Sequence, residues 1–178
     1  MTKEKTILSV WIGNLADYNA GLLNGRWFDL DDYTEDELKA AVNEMTHGGN
    51  DEYFIADFES SYEIEVDEYS GIMSIYEKYN TIKDIIDQHG NDAEDIIEAY
   101  TTLISDNLNN IDQYEFIIYY GCESMAEVAE EYLNETGGLS EIPDHLRGYF
   151  DFEAYGRDMS FEGCFCFTDN GNCVEIIR

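Results

Sequence analysis

Apolar residues recur along this chain with two different periods, and the changes of period divide it. Thr6 to Gly13 (TILSVWIG) and Gly25 to Leu30 (GRWFDL) are rich in β-branched and aromatic side chains, with glycines and Asn14, Asn19 and Asn24 between them. They predict two strands joined by a loop. Thr34 followed by Glu37 has the form of a capping box, and Leu38, Ala41, Val42 and Met45 then recur at helical spacing. This predicts a helix over 34–46, ended by His47-Gly48-Gly49-Asn50. Tyr53 to Phe58 (YFIADF) reads as a third strand.

From Ile72 to Ile104 the period becomes helical. Ile72, Ile75, Tyr76 and Tyr79 form one short stripe, Ile82, Ile85, Ile86 and His89 another, and Ile96, Ile97, Tyr100, Leu103 and Ile104 a third beyond a break at Gly90-Asn91. Tyr114 to Tyr120 (YEFIIYY) returns to strand, and Ser124 to Asn134 is helical, closed by Gly137-Gly138. Pro143, the only proline, opens a helix or turn. Cys164 to Phe167 and Cys173 to Ile177 flank Asp-Asn-Gly-Asn, a hairpin signal. The expected class is α+β in three segments: an N-terminal α+β domain over 1–68, a central helical domain over 69–109 and a C-terminal α+β domain over 110–178. No low-complexity linker or internal repeat marks these boundaries, which rest on the change of period.

Charge changes the picture. The chain carries 40 Asp plus Glu against 9 Lys plus Arg, a net of -31 on 178 residues, yet 44% of residues are hydrophobic and 14% aromatic. A disordered acidic chain lacks that apolar content, so this one is expected to fold. Its surface repels phosphate backbones and anionic membranes, which argues against direct nucleic-acid or membrane partners and points to a basic groove. At the charge density of duplex DNA, such a net charge corresponds to about 53 Å of helix, roughly 15 base pairs. No run approaches the ~20 apolar residues of a membrane span, and Met-Thr-Lys-Glu-Lys leads into a short apolar strand rather than a signal peptide, so a cytoplasmic location is expected. In a reducing compartment, Cys122, Cys164, Cys166 and Cys173 read as small hydrophobes.

The acids are also unevenly placed. Residues 84–146 hold 16 acids and no Lys or Arg, and residues 27–77 hold 16 acids against Lys39 alone. A solvated face ordinarily mixes signs. The candidate acidic surface comprises Asp31, Asp32, Glu35, Asp36, Glu63, Glu65, Asp67, Glu68, Asp84, Asp87, Asp92, Glu94, Asp95, Glu98, Asp112, Glu115, Glu123, Glu127, Glu130 and Glu131. On the helical stretch, Asp84, Asp87, Glu94, Asp95 and Glu98 are expected opposite the apolar stripe, where neighbours three or four apart rise about 5–6 Å, comparable to phosphate spacing. Two blander readings stand beside this one: each run taken alone is a solvated helix face, and halophilic adaptation also loads a surface with acids.

Catalytic and metal chemistry finds little support. Asp29-Leu30-Asp31-Asp32 invites a calcium reading, but Tyr33, Thr34 and Ala40 occupy the positions where an EF-hand needs a ligand, a glycine and a Glu. Cys164 and Cys166 would share one face of a strand, without the usual zinc spacing. His47, His89 and His145 show no nucleophile or ligand spacing. Carboxylates are too numerous to nominate an acid/base pair, and no phosphate-binding loop or dinucleotide fingerprint occurs. No enzyme activity and no cofactor are expected.

Two stretches carry a family resemblance. Val10 to Leu30, through Tyr18, Asn19, Gly21, Trp27 and Asp29, resembles the opening strand, Tyr-Asn-x-Gly loop and Trp-x-Asp-Leu strand of the ArdA antirestriction proteins. Ile142 to Met159 (IPDHLRGYFDFEAYGRDM) is similar to that family's antirestriction motif, through Pro143, Leu146, Tyr149, Asp151, Glu153, Arg157 and Asp158. Phe152, Gly156 and Met159 depart from the usual Tyr, Ala and Leu. The resemblance implies an elongated, curved, three-domain mimic of bent B-form DNA, carried by conjugative elements and forming a homodimer through its C-terminal domain. It implies as target the specificity and modification subunits of Type I restriction-modification enzymes, with cleavage and methylation both blocked. Within the motif, Leu146, Tyr149, Phe150 and Phe152 are expected in core or dimer contacts rather than on the enzyme. Two other classes remain open: an acidic chaperone or adaptor that shields basic DNA-binding proteins, and a small hydrolase using paired carboxylates.

Overall fold

The computed structural model describes residues 6–49 and 52–178. The Met-Thr-Lys-Glu-Lys start and Asn50 of the expected helix-ending run lie outside them. Contacts gather the chain into two compact units, one ending at Gly90 and one beginning at Asn91. The helical stretch expected to form a central domain is shared between them.

In the first unit, β1 (Ser9–Asn14) is the middle strand of an antiparallel sheet, with β2 (Gly25–Asp29) and β3 (Tyr53–Glu59) on either side. Alternation sends Leu8, Val10, Ile12 and Phe28 to one face, where they are fully buried. Two helices cover that face: α2 (Glu35–Met45) through Leu38 and Val42, and α3 (Ile72–His89) through Ile72, Ile75 and Tyr79. The capping box forms as expected: Glu37 N–H donates to Thr34 Oγ1 (3.4 Å), and Thr34 N–H donates to Glu37 Oε2 (2.9 Å). The loop expected after β1 contains a short helix, α1 (Leu15–Asn19). Asn14 starts it, accepting from Asp17 N–H at 3.0 Å while its amide donates to the Met45 carbonyl at 3.2 Å.

The second unit is also α+β. Its antiparallel sheet runs β4 (Glu115–Tyr119), β6 (Cys173–Ile177), β5 (Cys164–Phe167). On one face Cys166, Val174 and Ile176 pack with Ala99 of α4 (Ala93–Leu103); on the other Tyr119 and Cys173 pack with Val128 of α5 (Met125–Glu135). The second face is covered only at its Tyr119 and Cys173 end, and Ile117 and Ile177 farther along that face are exposed. The β5–β6 hairpin closes as a turn with Gly171 left-handed (φ 77°), Gly171 N–H donating to Thr168 O at 3.0 Å. Pro143 precedes the short α6 (Asp144–Arg147), and α7 (Phe152–Glu162) follows, capped by Asp151, which accepts from Ala154 N–H at 2.9 Å. Among the described residues no helix is long and apolar enough to cross a membrane.

Helices α5 and α7 meet backbone to side at Gly156. A Cβ there would lie 2.1 Å from the Met125 carbonyl oxygen. Alanine normally favours a helix over glycine by about 1 kcal/mol. Overpacking against a backbone atom that cannot rotate away costs about 1–3 kcal/mol, so Gly156→Ala is expected to lower stability, read as a lower urea midpoint. An unchanged or higher midpoint would show that α7 can slide freely on α5.

Candidate functional site

In the first unit, acids surround the exposed side of α3. Asp84 and Asp87 project from α3 itself, away from Ile75, Tyr79, Ile82 and Ile85. The segment 62–68 lies extended, with Ile64 and Val66 packed against the core and Glu63, Glu65, Asp67 and Glu68 exposed. Its end is pinned to β3 by Ile55 N–H donating to the Glu68 carbonyl at 2.8 Å. Asp31 and Asp32 sit in a 3-10 turn over Leu30–Asp32, begun by Asp29, which accepts from Asp31 N–H at 3.2 Å. Asp36 is exposed on the first turn of α2.

The cations of this region are committed elsewhere. Lys78 donates to the Glu65 carbonyl. Lys83 Nζ donates to Tyr79 Oη at 3.0 Å, and Tyr79 donates onward to Asp31 at 2.8 Å. Lys39 pairs with Glu35 one turn before it, which leaves Glu35 half-buried. The Arg26 guanidinium lies 4.7 Å from the centre of the Phe28 ring. Each cation thus fastens one local feature, and Asp84, Asp87, Glu63 and Asp67 face solvent.

In the second unit the acids have two different tasks. Asp112, Glu115, Glu123, Glu130 and Glu131 are exposed. Glu127 is exposed too, but works as a cap: its carboxylate accepts from the Ser124 hydroxyl at 2.9 Å and from Glu123 N–H at 2.9 Å. The Ser124 hydroxyl first, then the Glu123 amide, hold its pKa below the usual carboxylate value.

The acids of α4 do not stand opposite the apolar stripe as expected. Asp95 is 3% exposed and accepts from the Asn170 amide at 3.1 Å and the Asn172 amide at 2.9 Å. Glu98, half-buried, receives the Asp169 N–H on both oxygens, at 2.9 and 3.2 Å. Asp92 accepts from the Tyr120 hydroxyl at 2.9 Å, and Glu94 is half-buried. Asp95 therefore leaves the presented surface, and Glu98 serves the hairpin. The physical reason lies in the Asp169–Asn172 loop, whose donors need acceptors and find them on α4. The asparagine-rich turn was the available signal.

The thiols are packing groups. Cys122, Cys166 and Cys173 are buried, and Cys164 and Cys166 share the core face of β5. Burial pushes the Cys173 thiol up to about 12. Among the described residues no three His, Cys, Asp or Glu side chains are placed to hold a metal ion.

One feature escaped the reading of charge. The outer face of the first sheet carries a groove of about 390 Å³ lined by Trp11, Tyr18, Trp27, Phe54 and Asp57. Trp11 lies over two glycines: a Cβ on Gly25 would come within 2.2 Å of its ring, and one on Gly13 within 2.7 Å.

Residues 10–174 match the model of the antirestriction protein family ArdA. The chain belongs to that family. No curated protein sequence matches it. The match runs from β1 to β6 and so includes both units. As an ArdA protein, it acts against restriction enzymes.

The residues that carried the resemblance now have places. Tyr18 of α1 packs on Phe54 (ring centres 5.1 Å apart), Gly21 is left-handed (φ 81°), Trp27 faces Trp11 across the β1–β2 ladder and Asp29 caps the 3-10 turn. In the stretch 142–159, Pro143 and Asp151 start helices, whereas Glu153, Arg157 and Asp158 are exposed, the last two 3.8 Å apart. Phe150 is half-buried between Phe152 and Tyr155. Leu146 and Tyr149 are not core residues of the chain: Tyr149 is 86% exposed, as is Phe161 to 80%. Gly156 is the close approach to Met125.

Removing the Asp95 carboxylate strands two amide donors, and lost bonds to a charged acceptor cost about 1–3 kcal/mol. Asp95→Ala is therefore expected to destabilise by that amount, while Asp84→Ala stays within about 0.5 kcal/mol of the parent. Urea unfolding followed by circular dichroism distinguishes them; equal midpoints would remove the division between fastening and presented acids.

Proposed function

We propose that the chain inhibits Type I restriction-modification enzymes by presenting carboxylates where DNA presents phosphates, occupying the groove formed by the specificity and modification subunits. The observation that carries this reading is the division of labour among charges: the cations between Arg26 and Lys83 are engaged within the fold, while Glu63, Glu65, Asp67, Asp84 and Asp87 remain at the surface. A field of one sign steers encounter with a basic groove and discriminates against acidic partners. The carboxylates stand on a folded scaffold, so little ordering is required on binding. On this reading the protein itself catalyses nothing, acts in the cytoplasm and blocks cleavage and methylation alike.

A homodimer joined through the C-terminal unit is part of the proposal. Leu146, Tyr149 and Phe161, large apolar side chains exposed on that unit, support it.

Exposed ion pairs contribute about 0–1 kcal/mol each, so single neutralisations are expected to change inhibition by less than about fivefold. Glu63→Gln, Glu65→Gln, Asp67→Asn, Asp84→Asn and Asp87→Asn together are expected to weaken it roughly 10- to 100-fold. The measurement is displacement of a labelled specific duplex from a Type I methyltransferase, across salt concentrations. Stoichiometric, salt-sensitive displacement that weakens in the combined variant supports mimicry. Absence of competition at low salt, or equal affinity for unrelated basic proteins, overturns it and favours an acidic chaperone.

A further inference from the structure

The two tryptophans of the chain, Trp11 and Trp27, both line the groove on the outer face of the first sheet. Register explains why: in strand order β2-β1-β3, Trp27 pairs with Trp11, and Trp11 pairs with Asp57 on its other side. One row across the sheet therefore reads indole, indole, carboxylate. Adjacent strands are about 4.8 Å apart, so the Asp57 carboxylate stands one strand away from the Trp11 indole and two from Trp27. Phe54 stands at 59° to Trp11 and Tyr18 at 52° to Phe54, so the rings form walls rather than a closed stack.

The floor is built for this shape. Trp11 lies across Gly13 and Gly25, positions where any side chain would meet its ring. Tyr18 and Trp27 remain 57% and 42% exposed, so aromatic surface in the groove is open to a ligand. Asp57 Oδ1 accepts from the Phe58 N–H at 2.9 Å, and a purely apolar occupant would still leave its charge without a counter-charge. A guanidinium satisfies both features, stacking on ring faces while its N–H groups reach a carboxylate.

We infer that this groove is a receptor for an arginine side chain of the bound protein, an aromatic and carboxylate pocket that adds a directional contact to the diffuse acidic surface. The inference rests on the reading of the chain as a ligand for a basic groove and supplies what that reading lacks, a site where one partner residue is recognised by shape.

Because both tryptophans lie in the groove, intrinsic fluorescence of the full chain reports it directly. Titration with N-acetylarginine amide is expected to shift tryptophan emission saturably, at least about fivefold more tightly than the citrulline amide, an uncharged isostere. Asp57→Asn, at an exposed position, is expected to bring the two within about twofold. Trp27→Ala, also exposed, is expected to abolish preferential arginine binding, read by competition against a fluorescein-labelled arginine peptide. No saturable response, equal binding of citrulline amide, or an unchanged preference in Asp57→Asn overturns the inference. In the duplex-displacement assay, Asp57→Asn and Trp27→Ala are expected to weaken inhibition. Should they leave it intact while the combined acidic variant loses it, the groove assignment fails and the mimicry reading stands; should neither variant matter, both fail.

Discussion

Self-repulsion governs this molecule. A net charge of -31 on 178 residues acts against any compact state, and the fold answers it in two ways. Apolar surface is buried around two separate sheets, with Leu8, Val10, Ile12 and Phe28 fully enclosed in one and Cys173 and Val174 in the other. The few cations are used locally, as in the Lys83–Tyr79–Asp31 chain that ties α3 to the turn after β2. A cation committed in this way fastens a joint without neutralising the surface around it.

The same economy appears among the acids. Carboxylates that accept from backbone or amide donors hold the structure: Glu37 and Glu127 close helix starts, and Asp95 and Glu98 hold the β5–β6 turn. Those that accept nothing structural stand on the outer side of α3, on the segment before it and, in the second unit, at Asp112, Glu115, Glu123, Glu130 and Glu131. An acidic count therefore overstates the presented charge, because part of it is internal scaffolding. On the proposed reading, the remaining charge is what an antirestriction protein of the ArdA family turns toward a phosphate-binding surface of its target.

Much of the local structure was legible in the sequence because local rules decide it. The Thr34–Glu37 box, the break at Gly90, the helix begun at Ser124 and the turn around Gly171 all depend on residues close to one another in the chain. What stayed hidden depends on contacts distant in sequence. Asp95 meets Asn172 across 77 positions, so its helical phase alone suggested a surface acid. The division after Gly90, with the first half of α3 joining the N-terminal core, depends on Ile72, Ile75 and Tyr79 reaching a sheet formed much earlier in the chain. The aromatic groove was missed for the same reason: Trp11, Trp27 and Asp57 belong to three strands, and only register aligns them.

The central claim is that the chain and DNA occupy one surface of the enzyme. Lysine acetylation of a Type I methyltransferase, mapped by mass spectrometry in the presence of saturating chain or saturating specific duplex, tests it most directly. The account predicts that the lysines protected by the chain largely coincide with those protected by the duplex, and that added salt exposes both sets together. Protection of a separate set of lysines, with the duplex-binding ones still reactive, would contradict it.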